Sequence, residues 1–150
     1  MKKIILMMMA LCAVAFVGCD KNDENGGGSL MINGVNFVGT WAKIEDHYDW
    51  MNDRKWQDGG RVNNIIVVTS DGYLNSYGSY DYDGYVFSDG YLYGCTMNDF
   101  EKDGGTKISV EKGGVYIVGI LVDLEFEGND IVTWYEGPYF GKYKRVKGFK

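Results

Sequence analysis

Between Val115 and Glu127 an apolar or aromatic side chain falls on every second residue: Tyr116, Val118, Ile120, Val122, Leu124 and Phe126. After Leu121 the alternate positions become Asp123, Glu125 and Glu127. Period-two alternation is the repeat of a strand with one dry face and one wet face, and it does not fit a helix. A strand of this kind needs others to pair with, so the chain is expected to be built of β-structure. The even face is expected to be core or pocket lining. The run is long for a single strand, and Gly119 is where it should bend, bulge or split.

The rest of the chain agrees with that expectation. Phe37 to Glu45 reads as a first strand, and Arg61 to Thr69 carries Ile65-Ile66-Val67-Val68, a run apolar on both faces. Thr106 to Glu111 alternates, and Ile131 to Tyr135 and Tyr139 to Val146 close the pattern. Asp-Gly-Tyr occurs at 71–73, 83–85 and 89–91, which is hairpin-turn chemistry. With 22 glycines and one proline, the chain has turns in plenty and no helix-rich blocks. Asn98 to Gly105 reads as a polar loop, and Asp46 to Asp58 as a short helix or long loop over one end. About eight consecutive strands with short turns and no crossover helices predict an all-β, antiparallel up-and-down β-barrel, because closure removes the edge strands.

The N-terminus reads as an address. Lys2 and Lys3 precede an uncharged apolar run of 14 residues, Ile4 to Val17. That is shorter than the roughly 20 residues a spanning helix needs, and it fits a signal h-region. The run ends in Phe16-Val17-Gly18-Cys19, which resembles the lipobox of bacterial lipoproteins. The resemblance implies removal of residues 1–18, with Cys19 as the lipidated first residue carrying acyl chains such as palmitate. Each buried CH₂ of such a chain contributes about 0.8 kcal/mol to anchoring. Residues 19–29, acidic and then Gly-rich, read as a flexible linker, leaving 30–150 as the barrel domain. An acidic stretch after the lipidated Cys also resembles the export signal of surface lipoproteins in some Gram-negative bacteria. The expected location is therefore the cell envelope, as a surface-exposed outer-membrane lipoprotein. Loss of Lys2 and Lys3 moves the formal charge from −6 to −8, which argues against nucleic acid as a partner. Cys95 would then be the one free thiol, expected as a small buried hydrophobe.

Gly39-Thr40-Trp41 on the first strand resembles the Gly-X-Trp opening of lipocalins, and more closely the lipocalin-like domains of bacterial surface lipoproteins. The layout is similar from Gly39 to Val146. The resemblance implies a barrel in which the first-strand Trp packs at the closed end under a basic residue from near the C-terminus. Trp41 and Arg145 take those two places as the barrel-closing pair.

No catalytic constellation stands out. His47 is the only histidine, zinc sites want several ligands at set spacing, and neither a phosphate-cradling loop nor a serine elbow is present. The chain is expected to be no enzyme and to need no metal or cofactor. Glu125 and Glu127 read as a solvated outer face. Two functions are compatible with these residues. One is a non-catalytic, lipid-anchored binding protein for a small apolar or amphipathic ligand. The alternative is a surface module that grips a glycan or a protein through exposed Tyr and Trp, such as Tyr73, Tyr77, Tyr80, Tyr82, Tyr85, Tyr91 and Tyr93.

Overall fold

A computed structural model describes residues 29–150. The signal peptide, Cys19 and nearly all of the linker lie outside the described residues. The strands are β1 (Met31–Ile32), β2 (Val35–Asn36), β3 (Gly39–Glu45), β4 (Arg61–Val62), β5 (Asn64–Val68), β6 (Tyr73–Ser79), β7 (Tyr85–Ser88) and β8 (Tyr91–Leu92). They continue as β9 (Phe100–Glu111), β10 (Gly114–Ile117), β11 (Ile120–Val122), β12 (Leu124–Glu127), β13 (Ile131–Trp134), β14 (Gly141–Arg145) and β15 (Gly148–Phe149). A short helix, α1 (His47–Met51), follows β3, and a 3-10 turn, Met97–Asp99, precedes β9.

Nine strands form a single antiparallel sheet in the order β11-β10-β9-β6-β5-β3-β14-β13-β12. Its two end strands are separated in sequence only by Asp123. The stretch Ile120–Glu127 therefore pairs with β10 through its first part and with β13 through its second. The sheet curls into a near-closed β-barrel. Its interior is one apolar cluster that includes Phe37, Trp41, Leu74, Val122, Trp134 and Tyr143. The β1–β2 hairpin leads into one end, where Ile32 and Phe37 are buried in that cluster.

A second, four-stranded sheet, in the order β15-β8-β7-β4, lies outside the barrel wall. Between it and the wall sits a separate core of Ala42, Ile44, Val62, Ile65, Phe87, Leu92, Cys95 and Phe100. This explains the two-sided run in β5: Ile66 faces the barrel interior and Ile65 the second core, and both are fully buried. Cys95 is a buried free thiol in this core, and burial pushes its pKa up.

Three expectations are corrected. The first concerns the even face of 116–126, which changes phase in the middle. Val118 and Gly119 form a two-residue turn, with φ of 51° and 76°, between paired Ile117 and Ile120. Positive φ at both turn residues is the geometry of a type I′ hairpin turn. Before the turn the odd residues Val115 and Ile117 are buried, while Tyr116 is only half-buried. After it, Val122 is buried, and Leu124 and Phe126 pack against the interior cluster. Val118 (83% exposed) and Ile120 (69% exposed) are thus not interior residues. The second concerns Asn98 to Gly105, which is not a loop. From Phe100 onward it is the first half of β9, paired along β6 from Ser79 to Tyr73. Cross-strand pairing outweighs the weak strand propensity of Lys-Asp-Gly-Gly. The third is the small second sheet, which a simple meander does not include.

The phase change makes a direct test. Val122→Asp puts an unpaired carboxylate in the interior and loses a buried side chain worth about 1.5–3 kcal/mol. It should leave the domain unfolded in a thermal melt. Ile120→Asp, two residues away on the same alternation, should shift stability by no more than about 0.5 kcal/mol. Equal losses would refute the turn at Val118.

Candidate functional site

The two ends of the barrel differ in chemistry. At the end carrying the β1–β2 hairpin, the guanidinium carbon of Arg145 stacks 4.1 Å from the centre of the Trp41 ring. The same guanidinium donates to the backbone carbonyls of Val38 (3.0 Å), Asn36 (2.6 Å) and Asn129 (2.9 and 3.1 Å). Its Nε lies 3.4 Å from the Asp130 carboxylate. Trp41 donates through Nε1 to the Phe37 carbonyl at 3.0 Å. Strand register sets this up, because Arg145 is the direct partner of Trp41 across β14 and β3. A side chain at Gly39 would begin 3.1 Å from Arg145 Nη1, so glycine there leaves room for the clamp. Arg145 thus ties two separate backbone segments, 36–38 and the turn at Asn129, to one indole face. It is a structural clasp with its donors committed.

The other end is polar. Lys43 lies two residues beyond Trp41, on the same interior phase of β3, and its ammonium sits 5.7 Å from the centre of the Tyr143 ring. Tyr143, on β14, is buried in the barrel cluster, as is Tyr139. On β6 the interior phase runs from Leu74 through Ser76 to Gly78, so bulk gives way to small side chains towards this end. The β6–β9 register slips between Ser76 and Tyr77, leaving Asp103 as the extra residue on β9. Its Oδ2 lies 3.5 Å from where a Cβ would stand on Gly78. Asp103 therefore sits over the interior face. Lys43, Asp103, Tyr139 and Tyr143 make up an ionisable rim above an aromatic floor.

The electrostatics of that rim follow from partial burial. Burial pulls the Lys43 ammonium below its usual pKa, with Asp46 and Asp103 partly restoring it. The Tyr143 phenol is held far above its usual value by burial, then by Tyr139 and Asp103. Tyr139 is raised by burial and by Asp103. Beneath them is Trp134, fully buried, with its Nε1 lacking a hydrogen-bond partner. Its cross-strand partner is Gly141, and a Cβ on Gly141 would stand 2.7 Å from the ε-carbon of Lys43. Gly141 has a φ of 141° and lets the lysine stem pass against the backbone of β14.

Of the residues singled out from sequence, Trp41 and Arg145 are brought together at the end carrying the β1–β2 hairpin. Val122, Leu124 and Phe126 line the interior, while Tyr116, Val118 and Ile120 do not join them. The tyrosine ladder divides. Tyr77 and Tyr85 pack on the second core, whereas Tyr82 is 92% exposed and Tyr80 and Tyr73 are also exposed. Lys43, Asp103 and the orphan Trp134 indole were not anticipated. The signal for Lys43 was present, since it shares the alternation of Trp41 within Gly39–Glu45.

Removing the clasp should cost stability without touching the rim. Arg145→Met forfeits cation–π attraction of about 0.5–2 kcal/mol. It also forfeits several charge-assisted hydrogen bonds, each contributing about 1.5–3 kcal/mol. The expected result is a loss of at least about 2 kcal/mol in urea denaturation. Lys43→Met, at the opposite end, should cost less than half of that.

The chain matches no family model, no curated protein and no solved structure.

Proposed function

We propose that the protein is a lipid-anchored, lipocalin-like cell-envelope protein, non-catalytic, whose barrel mouth takes a small amphipathic molecule with an anionic, acceptor-bearing head. One observation carries the reading: two donors, the Lys43 ammonium and the unpartnered Trp134 Nε1, face an aromatic interior at a rim that also carries Asp103. A buried donor without an acceptor costs about 1–3 kcal/mol, and a ligand oxygen recovers that cost on binding. Eight-stranded barrels are wide enough to be filled by side chains or to hold one small ligand. Here Phe37, Trp41 and Trp134 already fill the floor, so the ligand engages mainly through its head and the first part of its tail. Support for the envelope location comes from residues 1–19, namely the basic start, the 14-residue apolar run and Cys19.

Calorimetric titration with dodecanoate tests the mouth, with dodecylammonium as the cationic counterpart. Dodecanoate should bind and dodecylammonium should not. Lys43→Met should weaken dodecanoate at least tenfold, or about 1.4 kcal/mol, while the melting temperature moves little. Equal affinity for both amphiphiles, or unchanged binding in the variant, would count against the reading. The anchor is tested separately in the native host. Cys19→Ala should abolish acyl labelling and remove the protein from the membrane fraction.

A further inference from the structure

A second concave site lies on the outer wall of the barrel, on the faces of β3, β13 and β14 opposite the mouth. It is a groove of about 350 Å³ lined by Trp50, Tyr135, Thr133, Lys142, Asp53 and Arg54. That volume is at the small end of the range for ligand sites, about 300–1,000 Å³. Thr133 and Lys142 alternate with interior Trp134 and Tyr143, which places them outside. A β-bulge completes the arrangement: Lys142 pairs with Glu45 and Tyr143 with Lys43, so Ile44 is the unpaired residue on β3. The bulge turns Glu45 to the outer wall, although Lys43 two residues before it faces inward.

Glu45 builds the site. It is only 8% exposed, and both of its oxygens are committed. Oε2 accepts from Trp50 Nε1 at 2.9 Å, and Oε1 accepts from the Trp56 backbone N–H at 2.9 Å. One carboxylate thus fixes the indole and the segment that follows α1. The Trp50 ring is also wedged edge-on against Phe140, at 4.8 Å between centroids, and Phe140 packs against His47. Tyr135 lies 6.4 Å from Trp50 with the ring planes 35° apart. Its hydroxyl donates to Glu125 Oε2 at 3.0 Å. The two rings are held in place before any ligand arrives, which lowers the ordering cost of binding.

The charges select the ligand. Arg54, Lys55 and Lys142 line the groove together with Glu45, Asp53 and Glu127, three of each sign. Lys142 and Glu127 are paired at 3.3 Å. An anion or a cation would meet as many repulsive groups as attractive ones. An apolar ligand would strip water from charged side chains without replacing it. A neutral polyhydroxylated ring avoids both penalties, because each hydroxyl can donate to a carboxylate and accept from an ammonium or guanidinium. Its C–H face can lie on the indole and phenol rings, whose bodies are apolar and whose tips are polar. We infer that this groove is a binding site for a neutral pyranose, such as one or two units of a glycan chain, with Trp50 and Tyr135 as the stacking surface and Glu45 as the positioning residue. The site is separate from the barrel mouth and stands whether or not the mouth binds an amphiphile.

The test uses the purified protein and linear oligosaccharides of glucose, mannose, galactose and xylose, titrated to roughly 10 mM and followed by Trp fluorescence and calorimetry. At least one neutral sugar should bind. Tyr135→Ala, on a partly exposed ring, should weaken it at least tenfold with an unchanged melt, and Lys43→Met should leave it unaltered. Glu45→Gln should weaken binding less than Tyr135→Ala, and it should alter the Trp emission of the free protein, because the indole loses its charged acceptor. Three outcomes would each overturn the inference: no binding by any of the neutral sugars, binding that survives Tyr135→Ala, or binding confined to uronic-acid and sulfated sugars. Dodecanoate titration of Tyr135→Ala separates the two sites, since that variant should keep amphiphile binding.

Discussion

The pairing of β3 with β14 is the constraint on which the rest depends. These strands lie near opposite ends of the described chain, and their register sets Trp41 against Arg145. Without that pairing the nine strands fall into two sheets, β11-β10-β9-β6-β5-β3 and β14-β13-β12, with β3 and β14 as new edges. With it, the edges that remain are the short staggered halves of Ile120–Glu127. Closing so large a loop is entropically costly, so the contact must be strong for its size. Arg145 meets this requirement by joining the indole, the Val38 and Asn36 carbonyls and the Asn129–Asp130 turn in one guanidinium. Lysine could not reproduce this, because a single ammonium has no planar fork.

From the clasp outward, the chemistry of the barrel is graded. The hairpin end is dry and aromatic, with Phe37 packed between Trp41, Phe126 and Trp134. The far end holds Lys43, Asp103 and two phenols. A gradient of this kind within one barrel separates the residues that hold the fold from those available for recognition. The second core contributes in a different way. It buries the outer faces of β3 and β5, and so makes the wall between the two cores apolar on both sides.

Much of this was legible in the sequence where a strand had one wet face. Leu124 to Glu127 and Thr106 to Glu111 kept their alternation because core and solvent lie on opposite sides. Legibility failed where that condition failed. At Val118 the apolar alternation ran straight through a turn, because a β-branched residue occupies a positive-φ position where Asn or Gly is usual, and nothing in its hydrophobicity marks the reversal. In Glu101 to Gly105 the strand's interior face looks onto the polar rim, so it has no apolar period to detect. Lys43 was overlooked because a lysine within a strand reads as solvent-facing. Glu45 and Trp50 escaped because the bulge at Ile44, which reverses the face, depends on pairing with β14 and leaves no local trace.

That bulge has a thermodynamic consequence. Lys43 and Glu45 are two residues apart yet lie on opposite sides of one strand, so a single segment of backbone is the common wall of the mouth and the outer groove. If both inferred sites bind, a ligand that displaces this segment from one side would change the resting position of the other. Linkage then requires reciprocity: whatever factor an amphiphile imposes on sugar affinity, the sugar must impose on the amphiphile. The sign depends on whether the two ligands favour the same placement of Ile44, whose side chain is buried against the second core. Ile44 would act as the fulcrum between the two sites.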